Sequence, residues 1–268
     1  MTLTASHASF LKKLREDTGI EDLSVNPAAT LAAMDSRYGV SSTRAVLTML
    51  RKMYPDNKKF EQEMKDRYKT YKKIDTTQQP TAKQEDNFVS WDNIIAFRDQ
   101  YYDEMSPTQR LLLALYTRIP PVRIDYTPMK IIPRKLAKYE DGMNYLVLNK
   151  KPYFIFHSYK THGTYGDLTT VIPKDLQKEI TAYRALFPDQ TYLFETAGKP
   201  WKESKLGVEV RKIFQQFHGL NTGVNLLRHA YDTKFYEGHK SLAEITKLST
   251  AMMHSPMLGQ AYRFLSLE

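Results

Sequence analysis

The chain contains no cysteine among its 268 residues. That absence excludes disulfides, thiolate zinc sites and a cysteine nucleophile, and it fits a protein of the cell interior. There is also no apolar run long enough to span a bilayer, and the opening MTLTASHASFLKKLRED lacks the basic-then-apolar order of a signal peptide. No membrane partner is therefore expected, and the expected location is intracellular. Acidic residues are in deficit: 30 Asp and Glu face 39 Lys and Arg, a net charge of +9 that favours a polyanionic partner such as nucleic acid. Internal repeats, low-complexity tracts, a P-loop and a dinucleotide fingerprint are all missing. What is present is a hydrophobic content of 41%, enough for one good core and part of a second, hence one or two domains.

The first quarter of the chain reads as four helices. Ala5 to Asp17 has helical spacing, and Asn26-Pro27 opens a second helix with Asn as N-cap and Pro at the first position. Ser42 to Tyr54 and Asn57 to Lys73 complete the set. From Arg51 to Lys73 nine Lys/Arg stand against four Asp/Glu, interleaved with Tyr54, Phe60, Tyr68 and Tyr71. That mixture suits gripping phosphates, with Lys65, Lys69 and Lys72 as candidate contacts; a solvated helix laced with ion pairs is the plainer reading. The stretch IDTTQQPTAKQEDN then loses hydrophobic periodicity and reads as a linker. The expected division is a helical domain over residues 1–74, a linker over 75–87 and a second domain over 88–268.

In the second domain, Trp91 to Phe97 and the leucine-rich Pro107 to Tyr116 carry helical spacing. The prolines of RIPPVRIDY stop the second helix and set Arg123 on a rigid connection just after a core element. The period then changes from helical to alternating. Met129 to Ile132, Asn144 to Leu148, Tyr153 to His157 and Leu168 to Ile172 read as strands of a small antiparallel sheet, with Lys160 on or beside a hairpin tip. Helices return at Lys174 to Leu186 and Lys202 to His218, the latter with Val208, Ile213 and Phe217 inward. The expected fold class is mainly α with this small sheet.

The last stretch, Thr222 to Phe264, is the one around which the rest is organised. Val224, Leu227, Tyr231 and Phe235 form an apolar stripe with Arg228 at its edge, a place to present a fixed cation. Ser241-Leu-Ala-Glu244 reads as a capping box opening a helix with Leu242, Ile245, Leu248 and Met252 buried, ending at His254 before Ser255-Pro256. A short helix then carries Tyr262. Each residue alone has a plainer role: an ion pair for Arg228, a solvated turn for Lys160, a cap for His254, packing beside Leu258 and Leu265 for Tyr262. Order and context together point elsewhere.

That constellation resembles the tyrosine recombinases, the phage integrase family. LLRHAY around Arg228 is similar to the family's second-arginine box, MMHSPMLGQAYRF to its histidine-to-tyrosine box, and YKTHGTYGDLTTVIP to its lysine hairpin. YTRIPPVRIDY resembles the first-arginine variant of integrases from large DNA viruses and eukaryotic mobile elements, with Arg123 in the role and Arg118 as the competitor. The family's usual histidine three before the second arginine is here Asn225, which can hydrogen-bond but cannot take a proton near neutral pH. The acidic residue usual three after the first arginine is Tyr126, with Asp125 beside it.

The resemblance implies a two-domain clamp on double-stranded DNA, a helical core-binding domain and a catalytic domain. It implies a site-specific recombinase or integrase that cleaves and rejoins strands through a 3′-phosphotyrosyl bond at Tyr262, with Arg123, Lys160, Arg228, His254 and Asn225 assisting. No cofactor, metal or ATP is implied, and the sequence shows no clustered metal ligands. A type IB topoisomerase and a catalytically silent DNA-binding relative are the alternatives. Only Arg263 to Glu268 follow Tyr262, about 9 Å if helical, too short to reach far into a neighbour. A monomer in solution that assembles into a tetramer on paired DNA sites is therefore expected.

Overall fold

The computed structural model of the chain describes residues 5–77 and 79–264. Expectations that rest on Leu265 and the tail beyond it, and on the side chain of Leu258, fall outside the described residues. The chain divides into two compact units, Met1–Thr77 and Gln78–Glu268.

The first unit holds α1 (Ala5–Thr18), α2 (Pro27–Arg37), α3 (Val40–Met53) and α4 (Lys58–Thr76). Asn26 caps α2, its side chain accepting from the Ala29 N–H, and Pro27 takes the first helical position, where its missing donor costs nothing. Leu14, Leu23, Met34, Leu47, Leu50 and Phe60 form the core, each fully buried. Arg67 forks onto both oxygens of Asp35 at 2.6 Å and also meets Glu63, tying α4 to α2. In the stretch expected to be a linker, α4 runs on to Thr76 and a short helix α5 (Ala82–Glu85) forms, opened by a Thr81/Gln84 capping box.

The second unit comprises α6 (Trp91–Gln100), α7 (Pro107–Thr117), β1 (Met129–Ile132), β2 (Asn144–Val147), β3 (Tyr153–Phe156), α8 (His162–Tyr165), β4 (Leu168–Val171) and α9 (Lys174–Leu186). There follow β5 (Glu195–Thr196), β6 (Lys199–Pro200), α10 (Glu203–His218), α11 (Val224–Phe235), α12 (Leu242–Ala251) and α13 (Pro256–Tyr262). Leu111 through Thr117 of α7 are all buried, so this helix is the axis against which α6, α9 and α10 pack. The inner stripe of α10 is Leu206, Val210, Ile213 and Phe214; Val208, expected inward, is 39% exposed. Leu242 likewise is exposed, because it is the first residue of α12 and the neighbouring helix covers only the far end around Leu248 and Met252.

The sheet is mixed rather than wholly antiparallel. β2–β3 and β3–β4 are antiparallel, but β1 runs parallel to β2. Two strands that run the same way cannot be joined by a tight turn, and residues 133–143 provide the return. Alternation then buries both faces: Leu146, Phe154 and Phe156 join the main core, while Tyr145, Val147 and Ile155 face a second cluster with Leu136, Tyr139 and Met143 from that return. At the start of β2, Asn144 is 1% exposed and fully bonded. Its Nδ2 donates to the carbonyls of Asp125 (2.8 Å) and Ser158 (2.9 Å), and its Oδ1 accepts from the N–H groups of His157 (2.9 Å) and Ser158 (2.7 Å). One side chain thus ties the connection after Arg123 to the approach to Lys160.

Both tryptophans of the chain, Trp91 and Trp201, lie in the second unit, so their fluorescence reports its unfolding alone. Asn144→Ala strands four main-chain groups in the interior and is expected to cost that unit about 3 kcal/mol, read as a lower urea midpoint. A loss below about 1 kcal/mol would show that water replaces the amide there.

Candidate active site

The candidate residues converge on the end of α12. The helix closes as a Schellman turn, with Met253 N–H on the Thr250 carbonyl (3.1 Å) and His254 N–H on the Ser249 carbonyl (3.0 Å). Met253 sits at φ +59, the left-handed region that glycine usually fills. Its side chain is buried in the main core, so the cost of that backbone is offset by packing a glycine could not supply. The turn leaves two successive carbonyls facing the same groups. The Met252 carbonyl accepts from Arg228 Nη1 (3.1 Å), and the Met253 carbonyl accepts from Arg123 Nη1 (3.0 Å) and Thr161 Oγ1 (3.0 Å).

Arg228 is 1% exposed rather than at the edge of its helix, because α11 is buried on both sides. Arg228 Nη1 also donates to the Pro121 carbonyl at 2.7 Å, while Nε and Nη2 meet no main-chain acceptor and have the Tyr262 side chain as their neighbour. Burial lowers its pKa from the ordinary arginine value, opposed chiefly by Tyr262. Arg123, half-buried, is held from behind: Tyr116 of α7 donates its hydroxyl to the Arg123 carbonyl at 2.7 Å. Arg118, the competing first arginine, instead pairs with Asp175 of α9 at 3.1 Å. Near both candidate arginines lies Asp125, whose Oδ2 is buried without a partner. Burial raises its carboxyl to about 6 against the pull of Arg123 and Arg228.

His254 and Tyr262 stack with ring centroids 5.7 Å apart, and the Arg228 guanidinium lies 5.2 Å from the Tyr262 ring. His254 Nδ1 is 3.0 Å from the Ser255 carbonyl and its Nε2 is 3.7 Å from Asp232 Oδ2, with both side chains fully buried. Burial raises the Asp232 carboxyl, partly opposed by His254. Gly259 is what lets α13 approach: a Cβ there would lie 2.9 Å from His254 Cε1 and 3.2 Å from the Tyr236 hydroxyl. From the other side His229 meets the Tyr262 carbonyl through Nδ1 at 2.6 Å and stacks on Phe264 at 4.2 Å. Burial lowers the His229 pKa to about 4, so the ring is neutral and Nδ1–H is the donor to that carbonyl. Thr233 Oγ1 accepts from the Phe264 N–H at 3.0 Å, completing the attachment of α13 to α11.

Four of the sequence-derived candidates, Arg123, Arg228, His254 and Tyr262, are therefore brought together. Lys160 is exposed on the turn between β3 and α8, next to Thr161, whose hydroxyl reaches the Met253 carbonyl. Asn225 is exposed on the first turn of α11, one turn before Arg228. In the first unit Lys65, Lys69 and Lys72 are exposed on α4, Lys65 pairing with Glu61 at 2.7 Å. Asp232, His229, Gly259 and Asn144 were not foreseen. Asp232 had a sequence signal, since it stands four residues after Arg228 on the same helix face.

The raised carboxyl of Asp125 fixes the sign of a pH effect. Between about pH 4 and 6 the folded chain keeps a proton that the unfolded chain has lost, so this group's stabilising contribution is full below about pH 4 and is lost as pH rises through 6. The shift from 3.8 to about 6 corresponds to about 3 kcal/mol. Asp125→Asn should therefore flatten this part of the tryptophan-monitored pH–stability profile and make the second unit more stable than the parent at pH 7.5. Parallel profiles for the two proteins would contradict the assignment.

No protein-family model matches the chain, and no curated protein matches it. Solved structures do. The chain is similar to a lambda integrase dimer bound to a COC′ core site, at 12% identity and a TM-score of 0.58 over 98% of this chain and 72% of that one. It is similar to a second lambda integrase dimer on the same site, at 12% identity and a TM-score of 0.56 over 96% of this chain and 87% of that one. It is similar also to the XerH site-specific recombinase bound to its difH substrate before cleavage, at 17% identity and a TM-score of 0.52 over 95% of this chain and 72% of that one. At such low identity it is the path of the backbone that is shared, and the chain has the mainly helical, two-domain fold of the tyrosine recombinases and integrases.

Proposed function

We propose that the protein is a site-specific DNA recombinase or integrase that cuts and rejoins strands through a 3′-phosphotyrosyl bond at Tyr262. The observation that carries this reading is the Arg228 guanidinium, fully buried, with Nε and Nη2 meeting no main-chain acceptor and Tyr262 as the side chain beside them. A buried cation with one edge turned to the candidate nucleophile is a costly structural element and a good receptor for two non-bridging oxygens of a phosphodiester. The likeness of the fold to DNA-bound recombinase and integrase structures supports the choice of substrate.

The chemistry follows from the proposed roles. A tyrosine phenol ionises near pH 10 and is a poor nucleophile at neutral pH, so it needs a neighbouring positive charge to favour the phenolate. Arg228 supplies that charge, and the phenol proton passes to solvent water. As the Tyr262 oxygen bonds to phosphorus, the extra negative charge of the pentavalent transition state falls on oxygens that Arg123 and Arg228 grip, and His254 adds a hydrogen bond. The bond from phosphorus to the 5′ oxygen breaks, and Lys160 delivers the proton that the departing oxygen needs. The phosphotyrosyl bond keeps the phosphodiester energy, so a 5′ hydroxyl from another strand can reverse the step without ATP. Arg228, with Arg123, is assigned to charge and Lys160 to protonation, while Asn225 is assigned to hydrogen bonding on the phosphate. Lys65, Lys69 and Lys72 are assigned to phosphate contacts by the first unit, and tetramer assembly to paired DNA sites.

The test uses a library of nicked duplexes whose cleaved end diffuses away, trapping the covalent complex. The parent protein should be captured, and Tyr262→Phe should lose capture while binding DNA within a few-fold. Lys160→Ala should slow cleavage by about 10²–10⁴-fold and be rescued by a bridging 5′ sulfur, which leaves without a proton, whereas Arg228→Ala should not be rescued. Capture by the phenylalanine variant would remove Tyr262 from the role. No capture by the parent would favour a silent DNA-binding relative, and plasmid relaxation without exchange between paired sites would favour a topoisomerase.

A further inference from the structure

The turn that carries Lys160 holds a second group of side chains that the proposed strand chemistry leaves unused. His157 follows β3, His162 opens α8 and Asp167 precedes β4, so the three stand at the base of one loop. His157 Nδ1 and His162 Nε2 point at the same oxygen, Asp167 Oδ1, at 2.6 and 2.9 Å. One donor atom from each residue lies within 4.8 Å of the others. We propose that His157, His162 and Asp167 form a binding site for a divalent transition-metal ion of the zinc class, which clamps the loop that presents Lys160.

Three features favour an ion over a casual hydrogen-bonded cluster. The donor set is two imidazoles and one carboxylate, which suits zinc, cobalt or nickel and not the all-oxygen preferences of magnesium or calcium. The donors are also pre-oriented. Tyr139 packs on the His157 ring at 5.1 Å and Tyr159 on the His162 ring at 5.7 Å, while Tyr159 donates its hydroxyl to the Gly166 carbonyl at 2.7 Å, closing the loop just before Asp167. Asn144 fixes the main chain at His157 from within. Finally, the side chains are 24%, 37% and 42% exposed, so an ion and a completing water can reach them. Bonds of about 2.0–2.1 Å in tetrahedral geometry set donors roughly 3.3 Å apart, so the two short contacts must open by about 0.7 and 0.4 Å while the imidazole nitrogens, within 4.8 Å, settle at the same spacing.

None of the three residues is among those assigned to the phosphate. An ion here would cross-link residues on both sides of Lys160 and Thr161, and Thr161 is the residue whose hydroxyl shares the Met253 carbonyl with Arg123. Loss of a metal and local loosening of the loop are thereby coupled.

The test needs no DNA, so its outcome is independent of the proposed strand chemistry. The full chain, stripped with a chelator, is titrated with Co²⁺ while visible d–d absorption is recorded, and Zn²⁺ is then added as competitor. Intense low-coordinate Co²⁺ bands that Zn²⁺ erases are expected, with affinity at least about 100-fold weaker in His162→Gln and in Asp167→Asn. Both substitutions are at partly exposed side chains, and an unchanged tryptophan-monitored urea midpoint for each variant checks that the fold is kept. Trypsin cleavage after Lys160 should slow with Zn²⁺ in the parent and not in His162→Gln, a comparison that also controls for any effect of zinc on trypsin. Absence of the bands, bands unchanged in both variants, or equal cleavage with and without Zn²⁺ in the parent would overturn the proposal; unchanged bands would put the ion on other histidines of the seven in the chain.

Discussion

Two adjacent main-chain carbonyls, those of Met252 and Met253, are what the candidate site depends on. They accept from Arg228, Arg123 and Thr161, groups that come from α11, from the connection after α7 and from the loop after β3. The carbonyls face this way because α12 ends in a Schellman turn, and the turn requires a left-handed residue that is Met253 instead of glycine. Strain of about 1–3 kcal/mol at such a position persists only where the surroundings hold it, and here the buried Met253 side chain does so. The next residue in the chain is His254, so the same turn that aims the arginines also delivers the imidazole against Tyr262.

Burying a guanidinium in such a place costs several kcal/mol even after relaxation. Arg228 recovers part of this through hydrogen bonds to the Pro121 and Met252 carbonyls, and α11 contributes Val224, Leu227 and Ala230 to the core around it. The remaining fork, Nε and Nη2, meets no main-chain acceptor and lies beside Tyr262, so these are the donors the proposed reading assigns to phosphate oxygens. Burial raises the carboxyls of both nearby acids, Asp125 to about 6 and Asp232 against the opposing pull of His254, as expected for groups drawn out of water beside the arginines.

Much of the fold was legible in the sequence because its signals are local. The Asn26-Pro27 start, the Ser241/Glu244 capping box and the period-2 segments of the sheet each form where the residues place them. What was not legible depends on distance along the chain. The parallel pairing of β1 with β2 follows from how residues 133–143 return, and nothing in four short alternating segments specifies it. Leu242 and Val208 fit helical stripes but lie where no neighbour covers them. Arg123, Arg228, His254 and Tyr262 could be chosen from order and residue type, whereas the roles of Asn144, His229 and Gly259 lie in contacts that only folding creates. His157, His162 and Asp167 show the same limit. Spacings of five and five residues match no metal motif, and the loop alone makes them neighbours.

Tyr262, set between Arg228 and His254, is proposed to become joined to a DNA 3′ phosphate. The most direct measurement is to trap the covalent complex, digest protein and DNA, and sequence the nucleotide-bearing peptide by mass spectrometry. A single modified peptide is expected, with the nucleotide on the Tyr262 oxygen and linked through a 3′ phosphate. A nucleotide on Tyr231, Tyr236 or any other residue, or a 5′ linkage at Tyr262, would contradict it.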